Sequence, residues 1–155
     1  MMYFAYGSNL DYPQMMARCP RARLIGPARL DGYRICFPRR SFVRATAVAS
    51  IEPSSGSSVW GALYEIEEGD VDRLDSREGY YPGAPAERSV ARRIPVTVKP
   101  SDGEPVEAMT YVLKPVADPG LPSADYLSVI INGAIACRAP EDYIAGLMAQ
   151  PTSFG

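Results

Sequence analysis

The segment that most constrains the fold is Val59–Ile66, whose sequence is VWGALYEI. Alternate residues of an extended strand point to opposite faces of a sheet. Val59 and Leu63 therefore share one face, and Trp60 and Tyr64 share the other. Both faces are largely apolar, which is typical of a strand that is covered on both sides. We expect this strand to occupy a central position in its sheet.

Strands and helices are predicted along the rest of the chain. The aromatic run at residues 2–6 indicates a buried strand, and helices are indicated where Asp11 or Ser123 can cap an apolar stripe. Pro38 and the stretch 52–58 are expected to interrupt the strands that they follow. The predicted strands are 2–6, 29–37, 46–51, 59–66, 92–98 and 104–113. Four helices are predicted: the first starts at 10–14 and ends at Cys19-Pro20, the second covers 67–78, the third follows Ser123 as far as Ala134, and the fourth covers 140–148.

The number and order of these elements predict the fold class. Many strands, with helices at the beginning, middle and end of the chain, favour an α+β domain built on a small barrel-like sheet that is mostly antiparallel or mixed, with peripheral helices. The 155 residues suffice for one domain, 1–155. Apolar residues make up 46% and charged residues 22%, which excludes a disordered or membrane class. No leader pattern precedes the first strand, so we expect a cytoplasmic protein.

Composition also limits the chemistry. The chain has no histidine, which removes Ser-His-Asp and Cys-His mechanisms and most zinc chemistry. Its 3 cysteines are odd in number and widely spaced, which argues against a disulfide framework. A general acid or base would therefore have to be a Glu, Asp, Tyr, Lys or Cys side chain. The net charge of −2 does not favour nucleic acid, although Arg39, Arg40 and Arg44 form a local basic cluster. A solvated loop is the favoured interpretation of that cluster, and a nucleic-acid contact is the alternative.

The first candidate site is Tyr6-Gly7-Ser8-Asn9-Leu10, which lies between a predicted strand and a predicted helix. Backbone N–H groups that are unpaired just before a helix bind carboxylates and oxyanions. Gly7 permits close approach of a ligand, and Ser8 and Asn9 add side-chain donors. The same composition is also common in plain structural turns, so both interpretations stay open on these residues alone.

The second candidate is Glu78, in the last turn of a predicted helix. The negative end of the helix dipole disfavours a carboxylate there. Such a position raises the pKa of the carboxyl group, which suits a general base that works near neutral pH. Asp75, one helical turn earlier, is the competing carboxylate. The alternative interpretation is a solvated glutamate paired with Arg77 or Arg73.

Four stretches in chain order resemble the gamma-glutamylcyclotransferase-like family, which includes the AIG2-like proteins. They are YFAYGSNL, GALYEIEEGDVDRLDSREG, AMTYVLKP and LPSADYLSVIINGA. The resemblance implies a small mixed barrel with peripheral helices and a cavity at one end. It also implies cyclisation of a gamma-glutamyl amide to 5-oxoproline with release of an amine or amino acid, without a metal or an organic cofactor.

The resemblance further implies particular roles. Glu78 is the expected acid–base residue, and the expected substrate-binding residues are Tyr6, Gly7, Ser8, Asn9, Leu10 and Tyr111. The expected partner is a small gamma-glutamyl compound, with neither nucleic acid nor membrane; no oligomeric state is predicted. Family members often carry a tyrosine where this chain has Ala91, so we expect Tyr80 or Tyr81 to fill that part of the cavity wall. The alternative function is a non-catalytic small-molecule binding protein that keeps the family cavity.

Overall fold

The computed structural model describes residues 1–153 and contains a closed barrel of strands with helices packed around it. The order of strands around the barrel is β1-β3-β2-β4-β5. All neighbours are antiparallel except β1 and β5, which pair in parallel through Tyr3 and Met109. The elements are β1 (Met2–Ala5), a 3-10 turn (Ser8–Leu10), α1 (Tyr12–Arg18), β2 (Arg23–Ser41), β3 (Thr46–Glu65), α2 (Glu68–Glu78), a second 3-10 turn (Ala86–Arg88), β4 (Ala91–Pro100), β5 (Val106–Leu113), α3 (Ala124–Ala136) and α4 (Glu141–Met148).

This architecture confirms the predicted α+β class and the mixed, mostly antiparallel barrel. It also confirms the central position of the Val59–Ile66 segment, since β3 lies between β1 and β2. Leu63, for example, pairs with Phe4 on one side and with Gly26 on the other. Apolar side chains cover both faces of β3 because one face points into the barrel and the other meets the helices.

The predicted breaks at Pro38 and at residues 52–58 were wrong, because β2 and β3 form one long hairpin. Bulges absorb the residues that do not suit a regular ladder. Pro38 lies in a bulge between the pairs Cys36–Ser50 and Arg39–Val48. In this bulge, two residues of β2 are opposite one residue of β3. Residues 54–57 are opposite Gly32 alone. The strands therefore continue through sequence that looks like loop.

The helix ends follow the predicted caps. The Asp11 carboxylate accepts a hydrogen bond from the Gln14 amide at 3.1 Å, and the Ser123 hydroxyl accepts one from the Tyr126 amide at 3.1 Å. α2 ends at Gly79, whose φ of 81° is accessible to glycine and costly for other residues. These caps fix where α1 begins, where α2 stops and where α3 meets the barrel.

Two apolar layers hold the domain together. The barrel interior is filled by residues such as Phe4, Val59 and Leu63. The second layer lies between the barrel and the helices and includes Tyr64 and Ile130. Within residues 1–153, no helix combines the length and the apolar character that crossing a lipid bilayer requires.

Candidate active site

A cavity of about 510 Å³ lies where the end of β1, the β2–β3 hairpin tip and the end of α2 converge. Segments far apart in the sequence meet there, so the cavity depends on closure of the barrel. Its wall comprises Tyr3, Tyr6, Gly7, Ser8, Asn9, Arg18, Arg39, Arg40, Ser41, Phe42, Val43, Arg44, Val48, Ala49, Ser76, Arg77, Glu78, Gly79, Tyr81, Val90, Tyr111, Leu113 and Tyr126.

The structure brings six of the seven predicted site residues to this cavity. They are Tyr6, Gly7, Ser8, Asn9, Glu78 and Tyr111. Leu10 is the exception: it is 4% exposed and lies in the core, against Gly133 of α3. It supports the loop from behind rather than lining the cavity. The roles of all seven residues, and the direction of the loop amides, stay predictions.

The loop itself is shaped by a 3-10 turn. The Leu10 amide donates to the Gly7 carbonyl at 3.0 Å, and the Asp11 amide donates to the Ser8 carbonyl at 3.0 Å. A Cβ on Gly133 would lie 2.4 Å from the Leu10 Cβ, so only a glycine lets α3 approach the loop this closely. The backbone of the loop is therefore held from both sides.

Glu78 is the last residue of α2 and the only carboxylate on the cavity wall, as far as the described residues show. Its Oε1 accepts a hydrogen bond from Asn9 Nδ2 at 2.8 Å and lies 3.7 Å from Arg18 Nη1. The side chain is 24% exposed. Burial raises the pKa of Glu78, while the charge of Arg18 and the hydrogen bond from Asn9 pull it down. The carboxylate is thus both partly desolvated and held in place.

The alternative interpretation, a solvated Glu78 paired with Arg77 or Arg73, disagrees with this geometry. Among residues 1–153, neither of those arginines forms an ion pair with Glu78. Asp75, the competing carboxylate, is 2% exposed and is absent from the described cavity wall. It accepts a hydrogen bond from the Tyr111 hydroxyl and therefore lies behind the wall.

The side chain of Asn9 links the two candidate motifs. Its Nδ2 donates to the Tyr3 hydroxyl at 2.9 Å and to Glu78. Its Oδ1 accepts from Gln14 Nε2 at 3.1 Å and from Arg18 Nη1 at 2.8 Å. Because a guanidinium can only donate, the bond from Arg18 fixes which end of the amide faces Glu78. Asn9 is consequently locked in one orientation.

A second group of contacts joins the β2–β3 hairpin tip to the loop. Arg44 Nη2 donates to Gln14 Oε1 at 2.6 Å and to Ser8 Oγ at 3.3 Å. Its guanidinium lies 5.5 Å from the ring centroid of Tyr126, within the range of a cation–π contact. The Tyr126 hydroxyl accepts a hydrogen bond from the Ala49 amide at 2.9 Å. This corner of the cavity is built by contacts between α1, α3 and the hairpin.

Several of these residues were not predicted as site residues from the sequence: Tyr3, Arg18, Arg44 and Tyr126. Arg44 belonged to a visible basic cluster, which was interpreted as a solvated loop. In the structure, Arg39, Arg40 and Arg44 all line the cavity. Of the two tyrosines expected to replace the one missing at Ala91, Tyr81 lines the cavity; that it takes over the role stays a prediction. Tyr80 instead lies beneath Arg93, whose guanidinium is 5.3 Å from its ring.

Comparisons with known proteins agree with this fold. The sequence profile of the AIG2-like family matches residues 58–147. Gamma-glutamylcyclotransferase of Bos taurus is 30% identical over 92% of this chain and 74% of its own length, and that of Mus musculus is 29% identical over 99% and 80%. A solved structure of a gamma-glutamyl cyclotransferase superposes with a TM-score of 0.88 at 26% identity, covering 100% of this chain and 90% of that one. The fold and these matches define a gamma-glutamylcyclotransferase-like barrel protein.

The chain belongs to the AIG2-like family.

Proposed function

We propose that this protein is an enzyme that cyclises a gamma-glutamyl amide to 5-oxoproline and releases an amine or amino acid. Its curated relatives bear the name gamma-glutamylcyclotransferase. The observation that carries the proposal is the 2.8 Å hydrogen bond from Asn9 to Glu78. It joins the YGSNL loop to the cavity carboxylate, two motifs that are 69 residues apart in the chain.

The reaction needs no nucleophile from the protein. The α-amine of the substrate attacks its own side-chain carbonyl, so a C–N bond forms within the new ring and the original amide C–N bond breaks. The attacking ammonium loses two protons in becoming the ring N–H: one is passed to the leaving nitrogen, which departs as a neutral amine, and the other goes to water. A single carboxylate can accept a proton in the first step and return it in the second. A chain without histidine can therefore perform this reaction.

Glu78 is the residue that we assign to this proton transfer. A carboxylate whose pKa is raised by burial is a stronger base than an ordinary glutamate. The contacts from Asn9 and Arg18 restrict its movement, which favours a reactive arrangement of the amine and the carbonyl. The wall around it leaves a pocket of about 510 Å³ for a substrate.

Two tyrosine hydroxyls are candidates to stabilise the oxyanion, besides the loop amides. The Tyr3 and Tyr126 hydroxyls each accept a hydrogen bond, from Asn9 and from the Ala49 amide respectively. Within residues 1–153, neither hydroxyl donates its own hydrogen. Burial raises the pKa of both groups, so each keeps its proton at neutral pH. Both protons are available to a charge that develops on the substrate carbonyl oxygen.

The experiment is to incubate the protein with gamma-glutamyl dipeptides, gamma-glutamylamines and glutathione, and to measure 5-oxoproline. We expect turnover of at least one compound, reduced by about 10²–10⁴-fold in Glu78→Gln. Glu68→Gln, at the exposed start of the same helix, is the matched control and should retain activity. If none of the compounds is turned over and Glu78→Gln binds them as the wild type does, the protein is a binding protein instead.

A further inference from the structure

The cavity wall carries a large excess of positive charge. Five arginines line it, and the described part of the wall has one carboxylate, Glu78. The arginines are Arg18, Arg39, Arg40, Arg44 and Arg77. Arg18 is the only one of them within ion-pair distance of Glu78 in the described structure. Four guanidinium groups thus face or border the cavity without a carboxylate of the protein.

A comparison of the arginines along β2 indicates that the excess of positive charge is a feature of the cavity and not of the whole strand. Away from the cavity, each arginine of the strand has an acidic partner. The pairs are Arg23–Glu65 at 2.9 Å, Arg29–Asp31 at 2.8 Å and Arg34–Glu52 at 2.6 Å. Arg39 and Arg40, at the cavity end of the same strand, have no such partner within residues 1–153.

Arg39 and Arg40 keep most of their N–H donors free for a ligand. Arg39 Nη1 donates to the Lys114 carbonyl at 3.3 Å, and Arg40 Nη2 donates to the Ala45 carbonyl at 3.0 Å. A guanidinium has five N–H donors, and a backbone carbonyl does not neutralise its charge. Arg44, in contrast, uses its side chain to hold Gln14 and Ser8. Arg39 and Arg40 are therefore each anchored by one backbone carbonyl and keep further N–H donors, and their charge, for a ligand.

We infer that Arg39 and Arg40 bind carboxylates of the leaving group, and that the preferred leaving group is an acidic amino acid or a short acidic peptide. This inference rests on the proposed function. A gamma-glutamyl moiety brings one carboxylate and one ammonium, which cancel. The excess of guanidinium groups then matches two carboxylates on the departing amine. A polyamine or a lysine side chain would instead bring further positive charge to the same wall.

The test compares gamma-glutamyl-glutamate with gamma-glutamyl-glutamine, which has the same shape and one negative charge fewer. We expect kcat/KM for the acidic compound to be higher by about tenfold or more, since hydrogen bonds to charged groups contribute about 1.5–3 kcal/mol. In Arg39→Gln/Arg40→Gln the ratio should fall towards one. Arg23→Gln/Arg34→Gln, which removes the same two positive charges from β2 outside the cavity wall, should keep the wild-type ratio. Thermal unfolding checks that the double variant is folded.

A ratio near or below one in the wild type, or an unchanged ratio in the double variant, would overturn the inference. Failure of the proposed function looks different, because no gamma-glutamyl compound would then give 5-oxoproline. Calorimetric binding of the two dipeptides to Glu78→Gln decides the inference in that case too. Tighter binding of the acidic dipeptide supports it, and equal binding of both dipeptides rejects it.

Discussion

The hydroxyl of Tyr111 donates a hydrogen bond to the carboxylate of Asp75, so that β5 is tied to α2 directly behind the cavity. Arg93 Nε lies 3.4 Å from the same Asp75 oxygen. The second carboxylate oxygen, Oδ2, is buried and accepts no hydrogen bond from residues 1–153. Tyr111 is therefore a principal donor to a carboxylate that is 2% exposed, and its ring also meets Tyr3 edge to face at 5.8 Å.

Tyr111→Phe should destabilise the fold, because it leaves the Asp75 carboxylate with one donor fewer in a buried position. The expected loss in the free energy of unfolding is about 1–3 kcal/mol, measured by urea denaturation at neutral pH. Tyr33→Phe is the control, since the Tyr33 hydroxyl makes no hydrogen bond with the described residues. Equal stability of both variants would mean that the Asp75 contact contributes nothing.

Glu78→Gln should change how stability depends on pH. Burial raises the folded-state pKa of Glu78 above its ordinary value of 4.5. As pH rises from that value through the raised folded-state pKa, the unfolded chain loses its proton first, and the wild type loses stability. The variant does not titrate at this position. The unfolding free energy of Glu78→Gln minus that of the wild type should therefore increase as the pH rises above about 4.5. A difference that stays flat or falls contradicts the desolvation of Glu78.

Replacing Arg18 with methionine should move the acid limb of the activity profile to higher pH. The guanidinium lies 3.7 Å from Glu78 and lowers the pKa of that carboxyl group. Removing the cation favours the protonated carboxyl, so more base is needed to ionise it. The pH dependence of kcat/KM and carbon NMR of the Glu78 carboxyl both report the shift. Arg18→Lys keeps the charge and should shift the limb less; an unchanged limb in Arg18→Met would exclude this coupling.

Gly133→Ala should loosen the attachment of α3 to the YGSNL loop. The new Cβ would lie 2.4 Å from Leu10 Cβ and 3.1 Å from the Leu10 carbonyl carbon, so backbone must shift. We expect a loss of about 1–3 kcal/mol in the free energy of unfolding. Gly146→Ala, in α4, has open space around its Cβ and should gain about 0.5–1 kcal/mol from helix propensity. Urea denaturation of the two variants should give opposite signs.

Local rules predicted the parts of the site that depend on neighbouring residues. The caps at Asp11 and Ser123, the helix end at Gly79 and the strand-to-helix turn at Gly7 all follow from hydrogen bonding and φ preferences within a few residues. The same rules made Glu78 a candidate through its position at a helix end, and the family resemblance implied its acid–base role. These preferences depend on residues close in the sequence, so the folded protein still follows them.

The rest of the site depends on contacts that no local pattern encodes. Arg44 reaches Gln14 across 30 residues of sequence, and the amide of Ala49 meets Tyr126 across 77. Both contacts exist only when the barrel has closed. The continuation of β2 through Pro38 was missed for a related reason, since a bulge tolerates a proline only when a partner strand accommodates the extra residue.

The pairing of β1 with both β3 and β5 has a consequence for biosynthesis. The first strand of the barrel to be synthesised is hydrogen-bonded in parallel to the last one. Until β5 emerges, an apolar strand keeps one free edge, which is a template for pairing with another chain. Nascent chains that stall before Val106 should therefore need chaperone protection, and fragments that end there should aggregate rather than fold.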